Sequence, residues 1–157
     1  MRAVMKTSAC AVLLSASILA AGCGNSRSAG SHAADDKALR DLVDRTVAAA
    51  GRRDIAEYSK YYGPKWVSAL PGLPIKEETQ PLKFQFPQGY AIKMVTTNTL
   101  FSDAGDLGYA VGTYEQDAPD KAGVLQHTVG KWMSVFKKQS DGSWGAVFDT
   151  FNVDPAP

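Results

Sequence analysis

The sequence has 157 residues with 17 basic and 16 acidic side chains, so its formal net charge is +1 at pH 7. Without a basic stripe, the sequence gives no electrostatic support for nucleic-acid binding. Two cysteines and two histidines argue against a disulfide framework and against a metal-ligand cluster. No P-loop, dinucleotide fingerprint or G-x-S-x-G elbow occurs, and we expect no cofactor.

The N-terminus is predicted to be a targeting segment. Arg2 and Lys6 precede an apolar stretch at 7–21, which is too short to span a bilayer as a helix and is typical of a signal peptide. The stretch ends in L-A-A-G-C at Cys23, which resembles the lipobox of bacterial lipoproteins. Residues 1–22 are therefore expected to be a lipoprotein signal peptide, and the alternative is ordinary secretion.

A lipobox implies an acyl anchor at Cys23, which would hold the protein to a membrane without a transmembrane helix. The resemblance places the protein in the cell envelope, facing the periplasm, and Gly24 after the cysteine favours the outer membrane over the inner one. Residues 23–34 are small and polar, and are predicted to be a flexible tether. One folded domain is then expected at 35–154.

Two helices are predicted to open the domain. Apolar residues recur at three- and four-residue spacing over 35–50, which indicates an amphipathic helix with Gly51 at its C-terminal end. Asp54, followed by Glu57 three residues later, has the form of a capping box and predicts a second, shorter helix. The apolar face of that helix would consist of Ile55, Tyr58 and Tyr62.

The next segment is hard to assign because five prolines and glycines interrupt it between 71 and 87. We predict a short strand at 65–70 and one helical turn at 75–80. Long irregular segments of this kind often border a binding site.

From Tyr90 onward, the pattern predicts β-strands at 91–101, 107–116, 124–138 and 144–153. Turn residues, including Asp141 and Gly142, separate them. Helices followed by four consecutive strands predict an α+β fold, with an antiparallel meander that carries the helices on one face. Gly112 and Gly130 would allow the sheet to curl around those helices.

Three blocks carry a family resemblance: G-D-L-G-Y-A-V-G-T-Y-E at 105–115, G-K-W-M-S-V-F-K-K at 130–138 and D-G-S-W-G-A-V-F-D-T-F-N at 141–152. They are similar to the C-terminal half of SnoaL-like domains of the nuclear transport factor 2-like superfamily, which includes ketosteroid isomerases. The resemblance implies a cone, in which a curved sheet of four meander strands and a short N-terminal strand wraps two or three helices. It also implies a pocket at the open end and a homodimer packed through the sheet.

The main candidate for chemistry is Asp149, which lies between two phenylalanines of the last strand. In related domains an acidic residue at this place often faces the cone interior, where an apolar cavity would raise its pKa and suit it to acid or base catalysis. His127 and Tyr114 are the other catalytic candidates, the first as a base near pH 7 and the second as a hydrogen-bond donor. The alternative for each is a structural or solvated role.

Strict alternation along 144–153 would place Trp144, Ala146 and Phe148 on one face of the sheet and Val147, Asp149 and Phe151 on the other. The pattern does not say which face is inside. Aromatic residues that would supply a pocket, or alternatively the core, are Tyr58, Tyr62, Trp66, Tyr109, Tyr114, Trp132 and Phe151.

These features favour a lipid-anchored envelope protein that binds a small, mainly apolar molecule. The first alternative is an isomerase or hydrolase of a small carbonyl or epoxide compound that uses Asp149. The second is a non-catalytic envelope assembly module with a filled cone and an exposed apolar sheet face. The direction of the Asp149 side chain is expected to discriminate between them.

Overall fold

The computed structural model of the chain describes residues 32–155. The predicted signal peptide, Cys23 and most of the predicted tether lie outside the described residues. Within residues 32–155, no helix is both long and apolar enough to cross a membrane.

Helix α1, Ala33–Arg52, is longer at both ends than the predicted 35–50. Asp35 and Asp36 lie in its first turn, where carboxylates suit the helix dipole. The prediction that Gly51 ends the helix is wrong, because Arg53 takes the left-handed conformation with φ 59° instead. Arg53 N–H donates to the Ala50 carbonyl and Asp54 N–H to that of Ala49, which together make a Schellman motif.

The second helix is a single turn, α2 at Ile55–Tyr58, followed by a 3₁₀ turn at Ser59–Tyr61. The Asp54 side chain accepts a hydrogen bond from Glu57 N–H at 3.0 Å, as the capping pattern predicted. Because the chain turns extended at Tyr62, α2 is too short to cover much of the sheet.

Six strands form one curved, open sheet in the order β2-β1-β6-β5-β4-β3. Their bounds are Tyr62–Ala69, Lys76–Thr79, Ala91–Phe101, Leu107–Pro119, Leu125–Lys138 and Trp144–Val153, for β1 to β6. Strands β3 to β6 are antiparallel neighbours, so the predicted α+β class and meander are confirmed.

The N-terminal strands complete the sheet in a way that the sequence pattern did not predict. Strand β1 pairs parallel to β6, and β2 pairs antiparallel to β1. The prediction of a helical turn at 75–80 is therefore wrong. This segment is extended because it hydrogen-bonds to the edge of β1 that β6 leaves free. The Gln80 side chain then donates to the carbonyls of Ser59 and Tyr62, which ties the end of β2 back to the start of β1.

Helix α1 covers only one end of the inner sheet face, which we call the closed end. Its buried Leu39 and Val43 belong to one core cluster with Phe136 and Trp144. The N-terminal half is attached to β3, since Asp36 accepts from Thr99 and the Arg40 guanidinium donates to the Thr96 carbonyl at 2.9 Å. The helix therefore begins at the closed end and runs toward the opposite, open end.

A β-bulge changes which residues of β6 face inward. Phe136 of β5 pairs with Ala146 of β6. Ser134, two residues before Phe136 and on the same face, pairs with Asp149, three residues after Ala146. One extra residue of β6 therefore lies between the two pairs. The predicted strict alternation is wrong, since Ala146 and Asp149 share the inner face and Phe148, paired with Val135, turns outward.

Candidate functional site

At the open end, the uncovered inner sheet face forms a cavity of about 250 Å³. Eight of its fifteen lining residues are aromatic, and they come from α2, the turn after it and strands β1, β4, β5 and β6, with Phe84 and Tyr90 from the irregular segment before β3. Of the other seven lining residues, Leu70, Ile92 and Met94 are apolar, and the polar ones are Thr46, Gln116, Asp149 and Thr150. The arrangement suits a small ligand with a mainly apolar body.

Two glycines make room for the aromatic walls of this cavity. A Cβ at Gly112 would lie 3.0 Å from the Trp132 Nε1 and a Cβ at Gly130 would lie 2.8 Å from the Tyr114 Cε1, so each glycine lies directly beneath a ring. The Trp132 Nε1–H donates to the Thr113 carbonyl at 3.1 Å, which fixes the indole. Both glycines thus allow the sheet to curl, as predicted, and also set the shape of the cavity.

Asp149 points into this cavity from β6. Its Oδ1 accepts a hydrogen bond from the Ser134 hydroxyl at 2.5 Å, and its Oδ2 accepts one from the Tyr62 hydroxyl at 3.2 Å. A carboxylate offers about four acceptor sites, and these two bonds leave part of that capacity toward the cavity.

Another tyrosine extends this arrangement into a relay of hydroxyl groups. Tyr61 OH lies 2.7 Å from the Ser134 Oγ. Because the single serine proton goes to Asp149, Tyr61 is the donor in that pair. Three hydroxyl groups are therefore connected to Asp149, that of Tyr62 directly and that of Tyr61 through Ser134.

Burial determines the protonation behaviour of these groups. Desolvation raises the pKa of Asp149 above its ordinary value of 3.8, although the hydrogen bonds from Ser134 and Tyr62 act in the opposite direction. Desolvation also raises the pKa values of Tyr58, Tyr61 and Tyr62 well above 10, so these phenols stay neutral near pH 7. Asp149 is thus the group of this cluster that can change charge in the acidic to neutral range.

Within the part of the chain that the structure describes, no basic side chain forms an ion pair with Asp149. The cavity lining contains Asp149 as its one acid and no Lys, Arg or His. Among the ion pairs formed within residues 32–155, none includes Asp149. An ionised Asp149 would therefore give the cavity a negative potential.

A second, more polar groove of about 490 Å³ adjoins the cavity and shares Asp149 and Tyr62 with it. Trp66 lines this groove and stacks on Tyr62 with ring centroids 4.4 Å apart. Lys76 and Glu78 form an ion pair at 3.0 Å on its far wall. The two spaces meet at Asp149, so the carboxylate lies between an aromatic chamber and a charged groove.

The structure brings most of the predicted site residues together. Six of them line the cavity: Tyr58, Tyr62, Tyr114, Trp132, Asp149 and Phe151. Trp66 is in the adjoining groove, while Tyr109 pairs with Val135 on the outer sheet face. His127 also faces outward, with 60 % of its side chain exposed, and its Nδ1 lies 2.7 Å from Asp117. The predicted grouping of His127 with Asp149 is therefore not found.

Tyr114 lines the same cavity as Asp149, but no hydrogen bond joins the two side chains. Desolvation raises the pKa of the Tyr114 hydroxyl. The polar groups beside Asp149 are Ser134, Tyr61 and Tyr62, of which only Tyr62 was among the predicted site residues. Ser134 could have been found, since it alternates with Trp132 and Phe136 on β5 as the one polar residue of that inward series.

The irregular segment supplies Phe84 and Tyr90, which sequence analysis did not assign to the site. Phe84 packs edge-on against Tyr58 with centroids 5.7 Å apart, and Tyr90 donates to the Gln116 side chain at 3.4 Å. The irregular segment therefore borders the cavity. No three His, Cys, Asp or Glu side chains are grouped for a metal ion within residues 32–155.

No protein-family model matches this sequence, and no curated protein is similar to it at a significant level. Solved structures do match. A nuclear transport factor 2-like protein with a cystatin-like fold from Novosphingobium aromaticivorans has a TM-score of 0.59 and 15 % identity, covering 79 % of this chain and 84 % of that one. A ketosteroid isomerase-like protein from Erwinia carotovora atroseptica has a TM-score of 0.58 and 15 % identity, covering 76 % and 96 %.

The association domain of C. elegans CaMKII is also similar, with a TM-score of 0.56 and 13 % identity over 76 % of this chain and 95 % of that one. Identities this low carry the fold and leave substrates and partners open. The chain therefore has the nuclear transport factor 2-like, ketosteroid isomerase-like fold.

Proposed function

We propose that the open end of the cone binds a small, mainly apolar molecule. The observation that carries this proposal is the aromatic cavity of about 250 Å³, whose one charged lining group is Asp149. An apolar cavity of about 150 Å³ suffices to bind benzene. A ligand somewhat larger than benzene, with one polar end directed to Asp149, would fill the space.

Native mass spectrometry of the purified protein tests this proposal, with a cavity-filling variant as its comparison. Ile92→Trp would place a larger side chain in the cavity, whereas Val95→Trp puts the same side chain on the exposed outer face of the same strand. We expect a bound small molecule, or saturable uptake of 2-phenylethanol, in the wild type and in Val95→Trp but not in Ile92→Trp. Equal uptake by all three proteins, or uptake by none, would contradict the proposal.

We further propose that the protein is held in the cell envelope by acylation of Cys23, facing the periplasm. The L-A-A-G-C sequence that ends at Cys23 supports this proposal. Replacing Cys23 with serine should give an unprocessed or soluble product. Unchanged membrane partition of that variant would overturn the anchor.

An isomerase or hydrolase acting on a small carbonyl or epoxide compound is the second candidate. It is supported by the inward direction of Asp149 and its raised pKa, which suit a proton-transferring group. Tyr62 and Ser134 would hold the carboxylate, in place of the expected Tyr114 and His127. Turnover of small enones and epoxides by the wild type, abolished by Asp149→Asn, would favour this candidate over simple binding.

The outer sheet face supports a homodimer. It exposes Val95, Val129 and Met133 by 48 %, 39 % and 36 %, and such apolar patches mark protein contacts. The same face would serve in a non-catalytic assembly module. Analytical ultracentrifugation should give a dimer that Met133→Lys dissociates, and a concentration-independent monomer would remove this part of the proposal.

A further inference from the structure

The cavity contains an acid whose charge nothing in the cavity balances. The carboxylate of Asp149 is held by hydroxyl groups alone, from Ser134 at 2.5 Å and Tyr62 at 3.2 Å. Hydroxyl donors stabilise a carboxylate but leave its net charge in place. Burying an ion without a counter-ion is costly, and a ligand of opposite charge would relieve that cost.

The aromatic rings around Asp149 also favour a positively charged ligand. Tyr58, Tyr62, Tyr114 and Trp132 all line the cavity, and aromatic faces attract organic cations within about 6 Å of a ring centroid. An aromatic chamber with a carboxylate at its wall therefore recognises a positively charged head and an apolar body together.

The cationic side chains of the adjoining groove do not fill this role. Lys76 and Lys83 line that groove, where Lys76 is paired with Glu78 at 3.0 Å. Within residues 32–155, no ion pair joins either lysine to Asp149. The Asp149 carboxylate is therefore available to a cation that enters the cavity from solution.

We infer that the cavity takes a small organic ammonium ion, an aryl- or alkylamine whose ammonium group pairs with Asp149 while its body lies among the aromatic rings. This inference rests on the proposed binding function and specifies its ligand class. The cavity volume of about 250 Å³ fits an arylalkylamine. Phosphate, carboxylate and other anionic compounds are excluded by the same uncompensated charge.

The test compares 2-phenylethylammonium with 2-phenylethanol, which has the same number of non-hydrogen atoms and no charge. Calorimetric titration at pH 7.5 is expected to give at least tenfold tighter binding of the ammonium ion. Asp149→Asn should abolish that preference, so that the two compounds bind with similar affinity. Asp117→Asn removes one negative charge from the outer face and should keep the preference, because Asp117 lies beside His127 and outside the cavity.

A pH series on the wild type keeps the inference testable if Asp149→Asn does not fold. An alkylammonium, like that of lysine, stays protonated below about pH 9. The groups that face Asp149 are the phenols of Tyr58, Tyr61 and Tyr62 and the hydroxyl of Ser134, which remain neutral, with Lys76, Glu78 and Lys83 across the groove. The ammonium preference should therefore fall as the pH drops through the pKa of Asp149, while 2-phenylethanol binding stays level.

The outcomes separate the two proposals. Equal affinity for both compounds, or an ammonium preference that survives in Asp149→Asn, would overturn the cation inference while leaving the apolar binding function intact. Binding of neither compound at millimolar concentration would overturn both.

Discussion

The two ends of the inner sheet face are built from the same strands but do different things. At the closed end, α1 places Leu39 and Val43 on Phe136, and all three side chains are 0 % exposed. At the open end, Trp132 is only four residues from Phe136 on β5, yet it lines a cavity. The difference lies in the helical cover, since α1 contributes only Thr46 to the cavity lining and α2 is one turn long. The inner sheet face forms core where α1 packs on it and lines a pocket where the helices contribute little.

A substitution at the closed end is expected to cause the greatest loss of stability. Phe136→Ala would empty a fully buried site and should lower the free energy of unfolding by about 3–5 kcal/mol. Tyr90→Phe at the open end removes one hydroxyl from a half-buried ring and should change the free energy of unfolding far less. Urea denaturation of both variants checks this comparison, and similar losses for the two would mean that the open end is as tightly packed as the closed one.

Gly130→Ala should damage the cavity wall at the open end. The added Cβ would lie 1.9 Å from the Asn152 carbonyl oxygen and 2.8 Å from the Tyr114 ring, so the strands must separate. We expect a loss of about 1–3 kcal/mol in the free energy of unfolding, as for other overpacked sites, together with weaker ligand binding. The matched control is Gly51→Ala, whose Cβ would meet nothing within 4 Å. An unaffected Gly130→Ala protein would show that the sheet curl does not depend on this glycine.

The contribution of Asp149, at the open end, to the free energy of unfolding should depend on pH. Its folded-state pKa is raised, so the folded protein binds its proton more tightly than the unfolded chain does. The stability that Asp149 contributes is therefore complete below pH 3.8 and is lost as pH rises through the folded-state pKa. The free energy of unfolding of Asp149→Asn minus that of the wild type should rise over this window, by about 1.4 kcal/mol for each unit of pKa shift.

The comparison of Asp149→Asn with the wild type is needed because other carboxylates change the free energy of unfolding with pH in the opposite direction. The pKa values of Asp35 and Asp36 are lowered, and each of these groups stabilises the fold above its unfolded-state pKa. They titrate in both proteins and cancel in the difference. A difference that stays flat with pH would mean that Asp149 keeps an ordinary pKa in the folded protein, and one that falls would mean a lowered pKa. Either result would contradict a desolvated carboxyl group in the cavity.

The smallest effect is expected outside the cone. His127→Ala removes an exposed partner of Asp117 from the outer face, and should change the free energy of unfolding by about 0.5 kcal/mol or less. Ligand affinity should not change at all. A loss of binding in this variant would link the outer face to the cavity and contradict the separation of the two.

The sequence predicted the parts of the fold that repeat locally. Periodicity and turns placed β3 at 91–101 and β6 at 144–153, which are the observed bounds. The parallel pairing of β1 with β6 was not predictable in this way, because it joins segments about eighty residues apart and leaves no local pattern. Strand β2 was not predicted for the same reason, because its strand conformation depends on its pairing with the edge of β1.

The candidate site was predictable in composition but not in arrangement. Aromatic residues at 58, 62, 114 and 132 were expected near a pocket, and Asp149 was expected to face inward if the strand allowed it. The bulge in β6 set that direction relative to Ala146, and a bulge depends on the register with β5. The partners Ser134 and Tyr61 reach Asp149 from distant elements, and His127 faces outward because of its place in the β5 alternation.

The indole N–H groups of Trp132 and Trp144 report separately on the open and closed ends of the inner sheet face. Trp132 lines the cavity, while Trp144 is packed at the closed end beside Phe101 and donates to Asp35. In a ¹⁵N-resolved NMR titration with 2-phenylethanol, the indole N–H signal of Trp132 should shift saturably while that of Trp144 stays in place. Equal shifts of both signals, or no shift of Trp132 at saturating concentration, would contradict a ligand cavity at the open end.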